Sequence, residues 1–214
     1  MLKQVQHCNA NETTHPMTKI PAAIYAETTP NPNTMKFVAN MVFTEKDRYE
    51  FTSMEQAKAS PLAEKLFTFP FVKGVFIMSN FITVTKNDMV SWDEVMIEVR
   101  EFIQNELRNG IKLISDEAQA SAEEFAPAPL QNHTSSDNEI DQKIIDILDE
   151  YVKPGVESDG GHIAFQRFEE GIVHVLLQGA CSGCPSSTMT LKAGIEGLLK
   201  NMLPEVQSVE AVNG

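Results

Sequence analysis

Two of the three cysteines of the chain, Cys181 and Cys184, have Cys-x-x-Cys spacing within the stretch Gly179–Ser187 (GACSGCPSS). A tight turn over two intervening residues can bring both sulfurs to one side, close enough to hold one metal ion or to form a disulfide. Gly183 can adopt a positive φ, which lets backbone N–H groups approach the sulfurs. The pair therefore indicates metal or redox chemistry, and the spacing alone does not decide between them.

The segments on either side of the cysteines predict how they are positioned. Alternating apolar residues from Ile172 to Leu177 predict a strand that leads into the loop. An apolar stripe at helical spacing predicts a helix from Ser186 to Met202, with Pro185 as a plausible first helical residue. Cys184 would then lie beside a helix N-terminus, whose dipole favours a thiolate over a thiol.

A thiol–disulfide oxidoreductase is one function that uses such a pair. Its Cys-x-x-Cys is expected at a strand-to-helix turn, as here. Two antiparallel strands are predicted before this loop, whereas the redox motif usually sits early in a βαβ unit. The intervening residues are Ser182 and Gly183 rather than Gly-Pro. This function remains the alternative hypothesis.

A structural zinc site is a second possibility, and it needs four ligands. His162 and His174 could complete the set, but each lies in an alternating run and is interpreted as a polar strand position. An iron–sulfur cluster is the third possibility, because clusters are usually held by four thiolates. Two copies of the chain offer four, so Cys181 and Cys184 of each copy could hold a cluster across a symmetric dimer. Such a shared, exposed cluster is easy to release, as a carrier requires.

The chain divides by composition into four parts. Residues 1–21 are polar and without periodicity, which predicts a disordered tail, and Cys8 in it is interpreted as incidental. Residues 22–114 predict one domain and residues 137–214 a second. Residues 115–136 are acidic and rich in Ala and Pro, which indicates a flexible linker. The predicted fold class is α/β (α+β), with two small two-layer α/β domains.

The first domain is predicted from its turns and caps. The expected features begin with a short strand from Ile24, a turn over Thr29–Thr34, a strand over Met35–Phe43 and a helix capped by Ser60. A hairpin of Phe71–Met78 and Phe81–Thr85 is expected next. The last expected element is a helix that begins with a capping box of Ser91 and Glu94 and ends at Gly110. The domain has no cysteine or histidine, so no metal site and no catalytic constellation are expected there.

The second domain is predicted to run helix, strand, strand, cysteine loop, helix, strand. Its first helix is expected to be capped by Asp137 or Asn138 and stopped by Pro154-Gly155. A turn is expected at Ser158–Gly161, a hairpin turn at Glu170-Gly171 and a last strand over Val206–Val212.

Composition excludes several classes of protein. The net charge is −13, and residues 137–214 carry 13 acidic against five basic side chains, so nucleic-acid binding is not expected. Three cysteines cannot form a disulfide framework, and no apolar stretch is long enough for a membrane span. Residues 1–21 have two lysines, no arginine and no apolar core, which is poor for a mitochondrial or secretory leader. The expected compartment is the cytoplasm.

Two motifs resemble a known family. The stretch from Asp159-Gly160-Gly161 through GACSGCPSST to Lys192 resembles the C-terminal domain of NifU-like (Nfu-type) iron–sulfur cluster scaffold proteins. Thr29–Phe37 (TPNPNTMKF) resembles the signature of the Nfu N-terminal domain. The resemblance implies a non-enzymatic scaffold. Cys181 and Cys184 would bind a 4Fe–4S cluster in a cluster-dependent homodimer, although four thiolates also suit 2Fe–2S. The expected partners are upstream assembly factors and recipient apo-proteins, and the N-terminal domain would bind targets or modulate transfer.

Overall fold

The computed structural model describes residues 22–44, 48–115, 135–182 and 185–213. The predicted tail 1–21 lies outside the described residues, as do Cys8 within it and nearly all of the predicted linker 115–136. The domain boundaries therefore stay predictions. The described chain is α/β and forms two units, which confirms the predicted fold class.

The first unit is a five-stranded antiparallel sheet in the order β1-β2-β5-β4-β3, with helices on one face. The strands are β1 Ile24–Thr28, β2 Thr34–Ala39, β3 Arg48–Phe51, β4 Val72–Met78 and β5 Phe81–Lys86. The helices are α1 Met54–Ala57, α2 Pro61–Leu66 and α3 Trp92–Arg108. Side chains from alternate strand positions, such as Phe37 and Ile82, pack against Val99 and Ile103 of α3 to form its core.

Most local predictions for this unit are confirmed. Ser60 caps α2, Ser91 and Glu94 form the capping box of α3, and Gly110 follows its C-cap with a φ of 79°. The predicted strand to Phe43 is too long, because β2 ends at Ala39, where the Asn80 carbonyl accepts its N–H and the pairing with β5 finishes. Strand β3 and helix α1 were not predicted from the sequence.

The second unit is a three-stranded sheet in the order β6-β7-β8, covered on one face by helices. The strands are β6 Gly161–Glu169, β7 Ile172–Gly179 and β8 Ser208–Asn213. The helices are α4 Ser135–Ile147, a π-helical turn Leu148–Val152, α5 Lys153–Ser158 and α6 Pro185–Met202. Glu170 and Gly171 both have positive φ and form the predicted hairpin turn, whereas β8 runs parallel to β7.

Two predictions for the first helix of this unit are wrong. Pro154-Gly155 does not stop the helix, because the π-helical turn widens it just before the proline and Lys153 N–H donates to the Leu148 carbonyl. That wider turn relieves the clash that a proline makes with the preceding helical carbonyl. The helix also begins at Ser135, so Asp137 and Asn138 fall inside its first turn rather than at the cap.

The second unit packs against the face of the first sheet that lies away from helices α2 and α3. On that face Lys36, Phe76 and Thr83 are all buried. The Cβ that an alanine at position 179 would carry would lie 2.7 Å from Cδ1 of Phe76, so β7 of the second unit reaches the sheet itself. Within the described ranges, no helix is both long enough and apolar enough to cross a membrane.

Candidate functional site

Cys181 lies just after β7 and shortly before α6, at the strand-to-helix junction that the sequence predicts. We call residues 179–184 the cysteine loop. Pro185 is the first residue of α6, as predicted. Gly183 and Cys184 lie outside the described residues, so the site can be described from Cys181 and the neighbours that hold it.

Backbone hydrogen bonds shape the described part of the loop. Gly179 has a φ of 65°, a conformation that glycine adopts without strain, and its carbonyl accepts the Ser182 N–H at 3.1 Å. The Ala180 N–H donates to the carbonyl of Gly160 at 3.2 Å, which ties the loop to the turn before β6. Thr188 of α6 donates its hydroxyl to the Cys181 carbonyl at 3.2 Å. The loop is therefore fastened to both the preceding turn and the following helix.

Gly161 makes room for the sulfur of Cys181. A Cβ at position 161 would lie 2.7 Å from Cys181 Sγ and 2.8 Å from the Gln178 carbonyl oxygen, both too close for any side chain. Gly161 pairs with Gly179 across β6 and β7. The second glycine of the Asp-Gly-Gly motif is thus needed because the thiol occupies the space where its side chain would be.

The thiol of Cys181 is held in its protonated form. Only 9% of the residue is exposed, and it belongs to the apolar core of the second unit. Burial, together with the nearby negative charge of Asp159, raises the pKa of Cys181 to about 11. A thiol in this state is a poor nucleophile and a poor ligand until its surroundings change.

A cavity of about 680 Å³ lies beside Cys181, between α6 and the helices at the start of the second unit. Its walls are mostly apolar and include Val156, Leu191, Ile195 and Leu198. Pro30 of the first unit also lines it, so the Thr29–Phe37 motif reaches the neighbourhood of the thiol.

The first unit contributes a carboxylate to the cysteine loop. Glu50 on β3 accepts the backbone N–H of Gly179 at 2.9 Å and faces the Ser182 hydroxyl at 3.3 Å, both through Oε1. Its other oxygen, Oε2, is buried without a hydrogen-bond partner in the described part of the chain. Burial raises the pKa of Glu50, and the hydrogen bond from the Gly179 N–H opposes that rise.

Four more side chains of the first unit hold the same region. Asn31 donates to the Ala180 carbonyl at 3.2 Å, and Arg48 donates to the Gln178 side chain at 2.8 Å. The turn before β6 is held as well, by Thr83, which donates to the Gly160 carbonyl at 2.7 Å, and by Lys36, which donates to the Ser158 carbonyl at 2.9 Å.

No metal site and no catalytic constellation were expected in the first unit, and the contacts of these five residues with the second unit were not predicted. Asn31 and Lys36 belong to a motif that the sequence analysis singled out, but their contacts join parts of the chain 149 and 122 residues apart. Arg48 and Glu50 lie on the missed strand β3, where they alternate with the buried Tyr49 and Phe51. That alternation over four residues was the sequence pattern from which strand β3 could have been predicted.

The zinc hypothesis stays a prediction, because one of its ligands, Cys184, lies outside the described residues. His162 Nδ1 lies 3.5 Å from Glu157, and His174 Nδ1 lies 3.6 Å from Glu210. In the described ranges, no group of three His, Cys, Asp or Glu side chains is placed to hold a metal ion. Both histidines lie on paired strands, β6 and β7, in agreement with their interpretation as polar strand positions.

Two family models match the chain in the order that the sequence motifs predict. The first, described as "Scaffold protein Nfu/NifU N terminal", matches residues 24–110. The second, described as "NifU-like domain", matches residues 144–210. The two matches correspond to the two structural units and contain the Thr29–Phe37 motif and the cysteine loop.

Curated relatives match over most of the chain. The human protein named "NFU1 iron-sulfur cluster scaffold homolog, mitochondrial" is 36% identical over 207 residues, which cover 92% of this chain and 78% of that protein. The protein of the same name from Drosophila sechellia is 37% identical and covers 88% of this chain and 64% of its own length. "NifU-like protein 4, mitochondrial" from Arabidopsis thaliana is 37% identical over 87% of this chain and 65% of its own length. The chain therefore spans just under two thirds of the insect and plant relatives.

Proposed function

Because this chain belongs to the Nfu family of iron–sulfur cluster scaffold proteins, we propose that it is a scaffold that carries a cluster and transfers it to apo-proteins. Its cargo is a 4Fe–4S cluster held at a homodimer interface by Cys181 and Cys184 of each copy. The proposal treats the chain as a carrier and not as an enzyme. Upstream assembly factors would supply the cluster, and recipient iron–sulfur proteins would take it.

The observation that carries this proposal is the thiol of Cys181 at the junction of β7 and α6, seated on Gly161. Thiolates are the preferred ligands of iron–sulfur clusters, and four are usually required. One chain supplies two cysteines at this loop and a second chain supplies two more, so the donor set fits such a cluster. The N-terminus of α6 adds a positive dipole end next to the loop, which favours thiolates and the negative charge of a ligated cluster.

Ligation requires a change at Cys181. With a pKa of about 11, the thiol must lose its proton before the sulfur can bind iron, and burial among apolar side chains opposes that loss. Movement of the loop into solvent would lower the pKa toward its ordinary value and present the sulfur to iron. The oxidoreductase alternative requires the same change, because disulfide exchange also begins with an accessible thiolate.

Anaerobic reconstitution with ferrous iron and sulfide tests the proposal. The wild-type chain should gain cluster absorbance, and Cys181→Ala and Cys184→Ala should lose it. Cys8→Ala is the matched control, because it removes the third cysteine and leaves the loop intact. Retention of the cluster by either loop variant, or its loss in the Cys8 variant, would contradict the assignment of the ligands.

We propose that the protein is cytoplasmic, whereas the human, insect and plant relatives are named as mitochondrial. Imaging of a chain with a C-terminal fluorescent tag against a mitochondrial marker distinguishes the two, and co-localisation with the marker would overturn the cytoplasmic proposal.

A further inference from the structure

We propose that the first unit is a reversible cover for the cysteine loop of its own chain, and that it must release the loop before a cluster is taken up. The partner of the first unit is then the cysteine loop, together with the turn before β6, of the same chain. The role of the cover in uptake rests on the proposed scaffold function. The docking contact itself does not.

The contact surface is the open face of the first sheet. Lys36 on β2, Thr83 on β5 and Glu50 on β3 project from this face, which we call the docking face. An antiparallel sheet with helices on one side often leaves its other side to water. Here Thr83 is 1% exposed and Phe76 is 2% exposed, so the second unit excludes water from the centre of this face.

The first unit approaches the turn before β6 so closely that position 160 has no room for a side chain. A Cβ at Gly160 would lie 2.9 Å from Thr83 Oγ1 and 3.2 Å from Lys36 Cβ. Thr83 and Lys36 also donate hydrogen bonds to the carbonyls of Gly160 and Ser158. The Asp-Gly-Gly motif therefore serves two packing needs, since Gly160 admits the first unit and Gly161 admits the sulfur.

The docking face also holds the loop that carries Cys181. Gly179 and Ser182 contact the Glu50 carboxylate, and Ala180 accepts from Asn31. Three of the four described loop residues are therefore engaged by the first unit on one side. A second chain or a recipient protein that approaches the loop from this side would have to displace the first unit.

The contact has a feature that favours reversibility. Besides the apolar Phe76, the contact contains five hydrogen-bonding side chains of the first unit, and the buried Oε2 of Glu50 has no hydrogen-bond partner in the described ranges. A buried carboxylate oxygen without a partner is destabilising, whereas the same oxygen would be hydrated once the units separate. Glu50 therefore holds the loop through one oxygen while the other favours opening.

The test uses two arginine substitutions on the same face of the first sheet. Thr83→Arg places a long side chain where only a hydroxyl fits against Gly160, yet it points away from the core of the first unit. Tyr25→Arg is the matched control, because Tyr25 lies on β1 on the same face of the sheet and is 65% exposed. Both full-length variants are first checked for cooperative thermal unfolding.

The first readout is hydrogen exchange of the Gly179 amide in the apo protein, measured by NMR. This N–H donates to Glu50, so its protection reports the docked state without any cluster. Thr83→Arg and Glu50→Ala should each accelerate exchange by about tenfold or more, since loss of about 1.4 kcal/mol changes an equilibrium tenfold, and Tyr25→Arg should not. Equal exchange in Thr83→Arg and the wild-type chain would overturn the docking proposal.

The second readout is the rate of cluster uptake at limiting iron and sulfide. Thr83→Arg should load several-fold faster than both the wild-type chain and Tyr25→Arg. Equal rates would overturn the role of the first unit as a cover, even if exchange shows that it docks. If no chain gains a cluster, the scaffold function fails, and the exchange data still decide whether the two units dock.

Discussion

Glu50 and Gly179 are 129 residues apart in the chain, yet the Glu50 carboxylate accepts the backbone N–H of Gly179 at 2.9 Å. The bond joins an edge strand of the first unit to the residue at which the cysteine loop begins. The loop that could hold a cluster is therefore held by both units of the chain, which makes its chemistry sensitive to their separation.

Alkylation of Cys181 should be slow at neutral pH and should accelerate up to a pH near 11. Burial and the charge of Asp159 raise the pKa of this thiol to about 11, so only a small fraction is thiolate at pH 7. The measurement is the iodoacetamide reaction of a chain in which Cys8 and Cys184 are replaced by serine. In denaturant the same chain should titrate near the ordinary pKa of about 8.5. Identical profiles for the folded and denatured chains would show that Cys181 is not buried.

Gly161→Ala should lower the free energy of unfolding by about 1–3 kcal/mol, the usual cost of inserting a methyl group into a filled site. The Gln178 carbonyl 2.8 Å from the new Cβ cannot move without disturbing the pairing of β6 and β7. Gly194→Ala on α6 is the control, because its Cβ meets nothing within 4 Å. That change should stabilise the helix by about 0.5–1 kcal/mol. Urea unfolding measures both, and equal stability of the two variants would contradict the packing at Gly161.

His162 should make the second unit sensitive to acid. Burial, with smaller effects of Arg48 and Lys153, lowers the pKa of His162 to about 3. Because the unfolded histidine titrates near 6.5, the unfolded state binds more protons below that pH, and stability falls as pH decreases from 7 toward 3. The loss between pH 7.5 and pH 5 should be at most about 2 kcal/mol. His162→Gln should reduce this pH dependence, as measured by urea midpoints, and an unchanged slope would contradict the buried neutral imidazole.

Local features around the loop could be predicted from the sequence. The apolar alternation before Cys181, the positive-φ turn at Glu170-Gly171 and the start of α6 at Pro185 all follow from backbone preferences within a few residues, and the structure confirms them. The ligand assignment of Cys181 and Cys184 stays a prediction, since Cys184 lies outside the described residues.

The contact between the units could not be predicted in the same way. Strand β3 is a short edge strand with charged residues at alternate positions, so its pattern is weak, and Glu50 lies there. A usable signal was present in β4 and β5, where Phe76 and Phe81 are buried on the face away from the helices. Strands that are apolar on both faces are typical of a sheet covered on both sides. Which part of the chain covers this face depends on contacts between residues that are far apart in the chain.

The proposed function requires that two copies of the chain share one cluster through their cysteine loops. Native mass spectrometry of the anaerobically reconstituted full-length protein, with Mössbauer spectroscopy of the same sample, tests it most directly. We expect an apo monomer and, after loading, a dimer that carries one 4Fe–4S cluster. Cys181→Ala should form no such dimer. A loaded monomer, or a dimer with one cluster in each chain, would contradict it.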